Sequence, residues 1–265
     1  MKVSFIGLGV MGFPMAGHLA NKNNDLKIKV YNRSIEKSEK WIAKFDGEIS
    51  NSPAEAAEGC DIVFMCVGND KDVDQVVRGD KGIMSSIPEK SIIVDHTTAS
   101  AKIATELFSY CKNTKDVNFM DAPVSGGQVG AENGQLTIMV GGDKNIYNQI
   151  QPLLMNYAKK STLIGKSGSG QLAKMVNQIC IAGLVQGLSE AINFGINAKL
   201  NIDDVMETIS KGAAQSWQME NRWETMLQDH YDHGFAVDHM RKDLELVIEE
   251  ANKKEINIDL TKIVN

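Results

Sequence analysis

The run Gly7-Leu8-Gly9-Val10-Met11-Gly12 narrows the possible folds more than any other part of the chain. It follows the apolar segment Val3-Ser4-Phe5-Ile6 and precedes Phe13 to Asn21, whose composition suits a helix. Glycines at this spacing allow a tight turn, a close approach of backbone to a pyrophosphate, and tight packing of helix on strand. The helix N-terminus then turns N–H groups and the positive end of its dipole toward an anion. A glycine run of this kind is weak evidence alone. Strand, turn and helix in this order, with a second strand downstream, predict a dinucleotide-binding unit that holds its ligand on residues 7–12.

Strands and helices alternate through the N-terminal part. Lys27–Tyr31 alternates polar and apolar residues, and Asp61–Val67 and Ile92–Val94 are short apolar runs. Asn118–Met120, Leu136–Val140 and Ser161–Ile164 read as further strands, while Ile35–Phe45 and Asp143–Tyr157 read as helices. The alternation predicts an α/β fold, a Rossmann-type doubly wound and mainly parallel sheet with helices on both faces. After Gly165-Lys166-Ser167-Gly168-Ser169-Gly170 the pattern changes. Apolar residues then recur at helical spacing, from Leu172, Met175, Val176 and Ile179 to Leu184, Leu188 and Ile192. The expected division is therefore a NAD(P)-binding domain at 1–165 and an all-α substrate and dimerisation domain at 166–265. The first helix of the second domain is expected to run about 25–30 residues, long for a globular helix. Such a helix can bridge domains and build a subunit interface, so a homodimer or homotetramer is expected.

Composition removes several functions. A formal net charge of −6 leaves no broad basic field for nucleic acid. The cysteines, Cys60, Cys66, Cys111 and Cys180, are scattered without C-x-x-C spacing, as in reduced thiols of a cytoplasmic protein. His230, His233 and His239 suit solvated or hydrogen-bonded roles, and no metal site is expected. Residues 1–20 mimic a secretory leader, but the placed glycines mark the start of a fold. Residues 171–198 are rich in apolar side chains, yet Lys174, Asn177, Gln178, Gln186 and Glu190 interrupt them. A buried helix, not a membrane span, is the expectation.

The end of the second strand bears on the choice of cofactor. NAD-binding folds usually carry an acidic residue there, about 20 residues after the glycine turn, for the ribose 2′-OH. This chain has Asn32-Arg33-Ser34. No carboxylate repels a 2′-phosphate, Arg33 can pair with one, and Asn32 and Ser34 can add neutral hydrogen bonds. NADP is expected, with NAD possible. Cys66 and Val67, after the third strand, are expected against the adenosine side, and Thr98 near the nicotinamide ribose.

Two stretches suggest chemistry. Asp121-Ala122-Pro123-Val124-Ser125-Gly126-Gly127 is either a plain Gly-rich turn or an anion cradle made by the Ser125 hydroxyl and the Gly126 and Gly127 amides. A cradle would take a substrate carboxylate. Lys174, Asn177 and Gln178 share one helix face by their spacing. That face is either a solvated polar stripe or one side of an interdomain cleft. In a cleft, desolvation lowers a lysine pKa and makes it a general acid or base near neutral pH. Within Gly212 to Arg222, Trp217 and Met219 could line a pocket or belong to the core.

These motifs together resemble the β-hydroxyacid dehydrogenase family. The resemblance rests on Gly7 to Leu19, on Asp121 to Gly142 (DAPVSGGQVGAENGQLTIMVGG), and on Gly168-Ser169-Gly170-Gln171 with Lys174-Met175-Val176-Asn177-Gln178. It also rests on Met240-Arg241-Lys242-Asp243-Leu244, and it covers essentially the whole chain in order. It implies an N-terminal Rossmann domain, a helical C-terminal domain and an active site between them. It implies an NAD(P)-dependent enzyme acting on CH–OH groups, most closely 3-hydroxyisobutyrate dehydrogenase-like and related to 6-phosphogluconate dehydrogenase. Tartronate, glyoxylate or succinic semialdehyde reduction are the alternatives, and a catalytically silent dinucleotide-binding module is the non-enzymatic one. The catalytic lysine falls on Lys174 and the substrate loop on Ser125, Gly126 and Gly127. The amide that follows the lysine is either Asn177 or Gln178. Lys242 matches a cofactor contact, Asp243 a carboxylate near the lysine, and Phe235 a substrate-side aromatic that also suits core packing. Members of the family usually continue by about one more helix beyond Asn265, so the chain either lacks a terminal helix or is naturally short.

Overall fold

The computed structural model describes residues 1–22, 26–231 and 236–265. Two compact units divide the chain, Met1–Lys174 and Met175–Asn265.

The first unit begins β1 Lys2–Ile6, α1 Gly12–Lys22, β2 Lys27–Tyr31, α2 Ile35–Ile42, β3 Glu48–Ile49 and α3 Pro53–Ala57. It continues β4 Ile62–Met65, α4 Asp70–Arg78, a 3-10 turn Ile83–Ser85, β5 Ile92–Asp95, α5 Ala101–Lys115 and β6 Asn118–Asp121. It closes with β7 Val124–Ser125, α6 Gly127–Glu132, β8 Leu136–Gly141, α7 Lys144–Leu154 and β9 Ala158–Gly165. The strands order as β3-β2-β1-β4-β5-β6-β8-β7, with β9 paired to β8. Strands β1 to β6 are parallel, β8 runs antiparallel to β6 and β7, and β9 is parallel to β8. The expected Rossmann-type, mainly parallel sheet is present.

Strand periodicity explains why this sheet needs cover on both sides. Val3, Phe5, Phe64, Val94 and Met120 face one apolar cluster. Their alternates Ile6, Val63, Met65, Ile93 and Phe119 face another. Each side holds packed helices, so nearly continuous apolar strands are satisfied. Local signals set the helix starts. Ser52 accepts from Glu55 N at 3.1 Å and Asn69 from Asp72 N at 3.0 Å. Ser100 accepts from Ile103 N at 3.0 Å and Asp143 from Ile146 N at 3.1 Å. Each bond satisfies an N–H that the helix cannot.

Some boundaries differ from the sequence expectation. The helix expected over Ile35–Phe45 ends at Ile42, and that over Asp143–Tyr157 begins after Asp143, which caps it. The last strand is longer than Ser161–Ile164, because β9 follows β8 from Ala158 on. Among the described residues it pairs with β8 alone, and Lys159 and Lys160 on it are exposed.

The second unit holds helices and no strand among its described residues. The helix α8, Ser169–Asn197, has 29 residues, and the two units divide within it. It is followed by α9 Ile202–Ile209, α10 Trp217–Leu227, α11 Val237–Lys253 and α12 Asp259–Val264. Leu188, Ile192, Ile202, Met206 and Met219 form its core. Met219 is thus a core residue, whereas Trp217 is exposed. By length and composition alone, α8 is apolar enough to cross a membrane. The buried polar side chains Lys174 and Gln178 on it suit packing within protein.

Candidate active site

The parallel order β2-β1-β4-β5 brings the C-terminal ends of four strands side by side, where ligands bind in open α/β sheets. The glycine turn lies after β1. Gly7 has φ 93°, and a side chain there would strike the Cys66 carbonyl. A side chain at Gly12 would strike the Gly7 carbonyl and Phe5. Gly9 differs, because a Cβ there meets nothing within 4 Å. The outer glycines are needed for the fold, while the middle one keeps open backbone where a pyrophosphate could approach. Val10 is exposed, Met11 half-buried, and no carboxylate occupies the first turn of α1. These features fit a dinucleotide.

Asn32 braces this turn. Its Oδ1 accepts from Leu8 N at 2.9 Å and its Nδ2 donates to Ser34 O at 3.0 Å. The amide therefore ties β2 to the glycine turn, a role the sequence did not disclose. Leu8 itself is buried in the core. Arg33 extends into solvent, its side chain 89% exposed, with Nη1 3.8 Å from Asp72 Oδ1. Ser34 is exposed and makes no side-chain capping bond.

Cys66 and Val67 follow β4, both half-buried. Val67 N donates to Thr97 Oγ1 at 3.0 Å, and Thr97 N donates to Asp95 Oδ1 at 2.9 Å. Burial raises the Asp95 pKa to about 7, against the pull of its bonds to Thr97. The neighbouring His96 is also buried. Its Nδ1 lies 2.7 Å from Ala122 O and its Nε2 2.9 Å from Tyr157 Oη. Desolvation holds its pKa down at about 4, so it sits in the fold as neutral imidazole. Thr98 is half-buried in the segment between β5 and α5.

Strand β6 ends in Asp121, which is fully buried. Its carboxylate accepts from Gly168 N at 2.8 Å and from Gln171 N at 3.0 Å. Burial raises its pKa, and these backbone donors pull the other way. Beyond it, β7 pairs Ser125 with Thr137 and so fixes the start of the loop. Gly126 and Gly127 have φ 135° and 63°, and a Cβ at Gly127 would meet no atom within 4 Å. The loop is thus a partly open backbone turn with a half-buried serine at its base. Lys174, on α8, is 7% exposed.

The helical unit holds a polar chain of its own side chains. Asn177 Nδ2 donates to Gln178 Oε1 at 2.7 Å, and Gln178 Nε2 donates to Asp243 Oδ2 at 2.6 Å. Lys242 Nζ lies 3.1 Å from Asp243 Oδ1. Gln178 and Asp243 are buried and Asn177 is half-buried. Both amides that compete for one role in the sequence thus belong to one hydrogen-bonded chain. Phe235 lies outside the described residues. No group of three His, Cys, Asp or Glu side chains among the described residues could hold a metal.

Comparison with known proteins supplies further findings. Residues 2–165 match the NAD-binding domain of 6-phosphogluconate dehydrogenase. Residues 168–265 match the NAD-binding region of NADP-dependent 3-hydroxyisobutyrate dehydrogenase. An uncharacterized oxidoreductase of Shewanella frigidimarina is 52% identical over 264 residues, covering 100% of this chain and 90% of the relative. The 2-hydroxy-3-oxopropionate reductase of Escherichia coli is 32% identical, covering 98% of this chain and 88% of the relative. A crystal structure of 3-hydroxyisobutyrate dehydrogenase from Salmonella typhimurium superposes with a TM-score of 0.87 at 26% identity, covering 100% of this chain and 91% of that one.

Proposed function

The chain belongs to the β-hydroxyacid dehydrogenase family of NAD(P)-dependent oxidoreductases, and from that premise we propose that it interconverts a small β-hydroxy acid and its semialdehyde. The favoured substrate is 3-hydroxyisobutyrate or a close analogue, and the favoured cofactor is NADP(H). Tartronate semialdehyde, glyoxylate and succinic semialdehyde are the alternatives, and the reductase from Escherichia coli supports the first of them. In this reading residues 1–165 form the NAD(P)-binding domain, and residues 166–265 serve substrate binding and dimerisation.

The nicotinamide, when bound, supplies or accepts the hydride. Residues 7–12, Cys66, Val67 and Thr98 would hold the dinucleotide, with Lys242 adding a cation. Arg33 would face the 2′-phosphate, flanked by Ser34, while Asn32 keeps the turn in shape. The absence of a carboxylate at 32–34 supports NADP, as does the match to an NADP-dependent enzyme.

Ser125, Gly126 and Gly127 would bind the substrate carboxylate through a hydroxyl and backbone N–H groups. Lys174 would protonate the carbonyl oxygen in reduction and take the hydroxyl proton in oxidation. Asn177, Gln178 and Asp243 would orient the reacting groups, and Phe235 would pack on the substrate. The observation that carries this reading is the burial of Lys174, an ammonium kept from bulk water on an otherwise apolar helix. Exposed apolar side chains on the helical unit support a homodimer or homotetramer. Four free cysteines support a cytoplasmic location.

The test is a panel of 3-hydroxyisobutyrate, tartronate, glyoxylate and succinic semialdehyde chemistry, run with NADPH and NADH. Turnover is expected on at least one substrate, fastest with NADPH. Lys174→Ala is expected to lower kcat by about 10²–10⁴ while NADPH binding survives. Unchanged turnover in that variant removes the role of Lys174. Tight NADPH binding with no turnover on any substrate makes the protein a silent binding module.

A further inference from the structure

We propose that Asp121 and Gln171 are positioning residues that fix Lys174, and that Gln171 couples it to the segment carrying Thr98. The proposal rests on Lys174 as the proton-transfer group.

The first turn of α8 is held from two directions. Asp121, at the end of β6, takes the backbone: Oδ1 accepts from Gly168 N at 2.8 Å and Oδ2 from Gln171 N at 3.0 Å. Carboxylate oxygens thus satisfy the amide just before α8 and one in its first turn, which no helical carbonyl can reach. The backbone is shaped for this contact. A Cβ at Gly170 would crowd the Asp121 carbonyl and carboxylate, and a Cβ at Gly141 would crowd both carboxylate oxygens and Gly170 N.

The second hold is the Gln171 side chain, 1% exposed. Its Oε1 accepts from Ala99 N at 3.1 Å and its Nε2 donates to Thr97 O at 2.8 Å. The two bonds straddle Thr98. Thr97 is itself bonded to Val67 N and to Asp95. A continuous set of bonds therefore runs from the loop after β4, through residues 97–99, to the first turn of α8. Lys174 follows three residues later, about 4.5 Å along the helix axis. A helix held at one end by both backbone and side chain cannot rotate or slide there without breaking several buried bonds. General acid catalysis is sensitive to such freedom, since a misplacement of about 1 Å costs about 100-fold.

The experiment compares wild type with Gln171→Leu, Gln171→Glu, Asp121→Asn and Lys174→Ala. Gln171→Leu removes both side-chain bonds at similar volume. Gln171→Glu keeps an acceptor for Ala99 N and loses the donor to Thr97 O. Three readings are taken: kcat and KM against pH on the best substrate of the panel, NADPH affinity by fluorescence, and amide hydrogen exchange across the whole protein without cofactor. Gln171→Leu is expected to lower kcat about 10- to 100-fold. KM and NADPH affinity should stay near wild type, the pH profile should shift, and exchange should rise at Ala99 and at residues 168–174 and not elsewhere. Gln171→Glu should fall between the two, and Asp121→Asn should show the same pattern. If the Leu variant does not fold, the Glu variant decides by the same readings. A wild-type kcat and pH profile in a folded Gln171 variant overturns the proposal. So does a kcat loss matched by lost NADPH binding or by faster exchange throughout the protein. Failure at Gln171 with inactive Lys174→Ala removes the clamp alone, whereas an active Lys174→Ala removes the reading beneath it.

Discussion

Phe64 and Phe194 have the same side chain and opposite surroundings. Phe64, in β4, is fully buried, stacked on Phe5 at 6.1 Å and on His96 at 6.1 Å, with Tyr157 edge-on at 6.5 Å. Phe194, in α8, is 73% exposed. The contrast extends to the units that carry them. The sheet of the first unit is covered on both faces by its own helices, so its core closes within one stretch of chain. Among its described residues the second unit has a smaller apolar cluster around Leu188, Ile192 and Met206, and Val176, Leu260 and Ile263, like Phe194, are largely exposed. One unit buries its apolar strands in two clusters of its own. The other leaves large apolar side chains in contact with solvent, as the proposed dimer or tetramer would need.

The contrast can be broken most directly at those two phenylalanines. Phe64→Ala is expected to cost about 3–5 kcal/mol in denaturant unfolding. Phe194→Ala is expected to change monomer stability by about 0.5 kcal/mol or less and to shift sedimentation toward smaller species. Equal destabilisation by the two would show that the helical surface is not free for association.

A smaller effect concerns pH. Burial lowers the His96 pKa from 6.5 to about 4, so the unfolded chain binds more protons between those values. Its contribution is present above 6.5 and fades as pH falls toward 4. Burial raises the Asp95 pKa from 3.8 to about 7, so there the folded chain binds more protons. That contribution fades as pH rises toward 7. The neighbours therefore oppose each other across almost the same window. In His96→Gln only the Asp95 slope remains, and the urea midpoint should fall more steeply than in wild type as pH rises from about 4 to 7. Parallel curves for the two proteins would remove the opposition.

The smallest effect is read with a thiol reagent on the native protein. Cys180, exposed on α8, should react first. Cys111 is buried and its thiol is pushed up to about 12, so it should react only on unfolding. Equal rates would contradict the difference in closure between the two units.

Legibility in the sequence followed the range of the physics involved. Strand period and glycine spacing are local, and they located β1, β2, β4, β5 and the turn at 7–12. The sustained helical spacing after Gly170 likewise announced α8 near its observed length. Short elements escaped notice, because β3 and β7 have two residues each and leave no period to read. The reversal of β8 against β6 is a tertiary choice that its apolar run Leu136–Val140 does not encode. Residues proposed for the cofactor could be grouped because a parallel sheet gathers strand ends in a known order. The bonds of Asp121 and Gln171 span 47 to 74 residues of sequence, so nothing near either residue revealed them. Their only local sign was a glycine at 168 and another at 170, which permit a close approach without naming what approaches. Asn32 reads in the sequence as a ligand contact, and its bonds to Leu8 N and Ser34 O add a bracing role that no local signal announced.

The two outer strands of the sheet are unalike, and both are poor templates for further pairing. β3 has two residues, too few to nucleate an added strand. β9 is long but presents the exposed ammonium groups of Lys159 and Lys160, which would repel the same strand of another molecule. Fibrous growth by strand addition is discouraged at either border, so a concentrated solution should not shed insoluble ribbons.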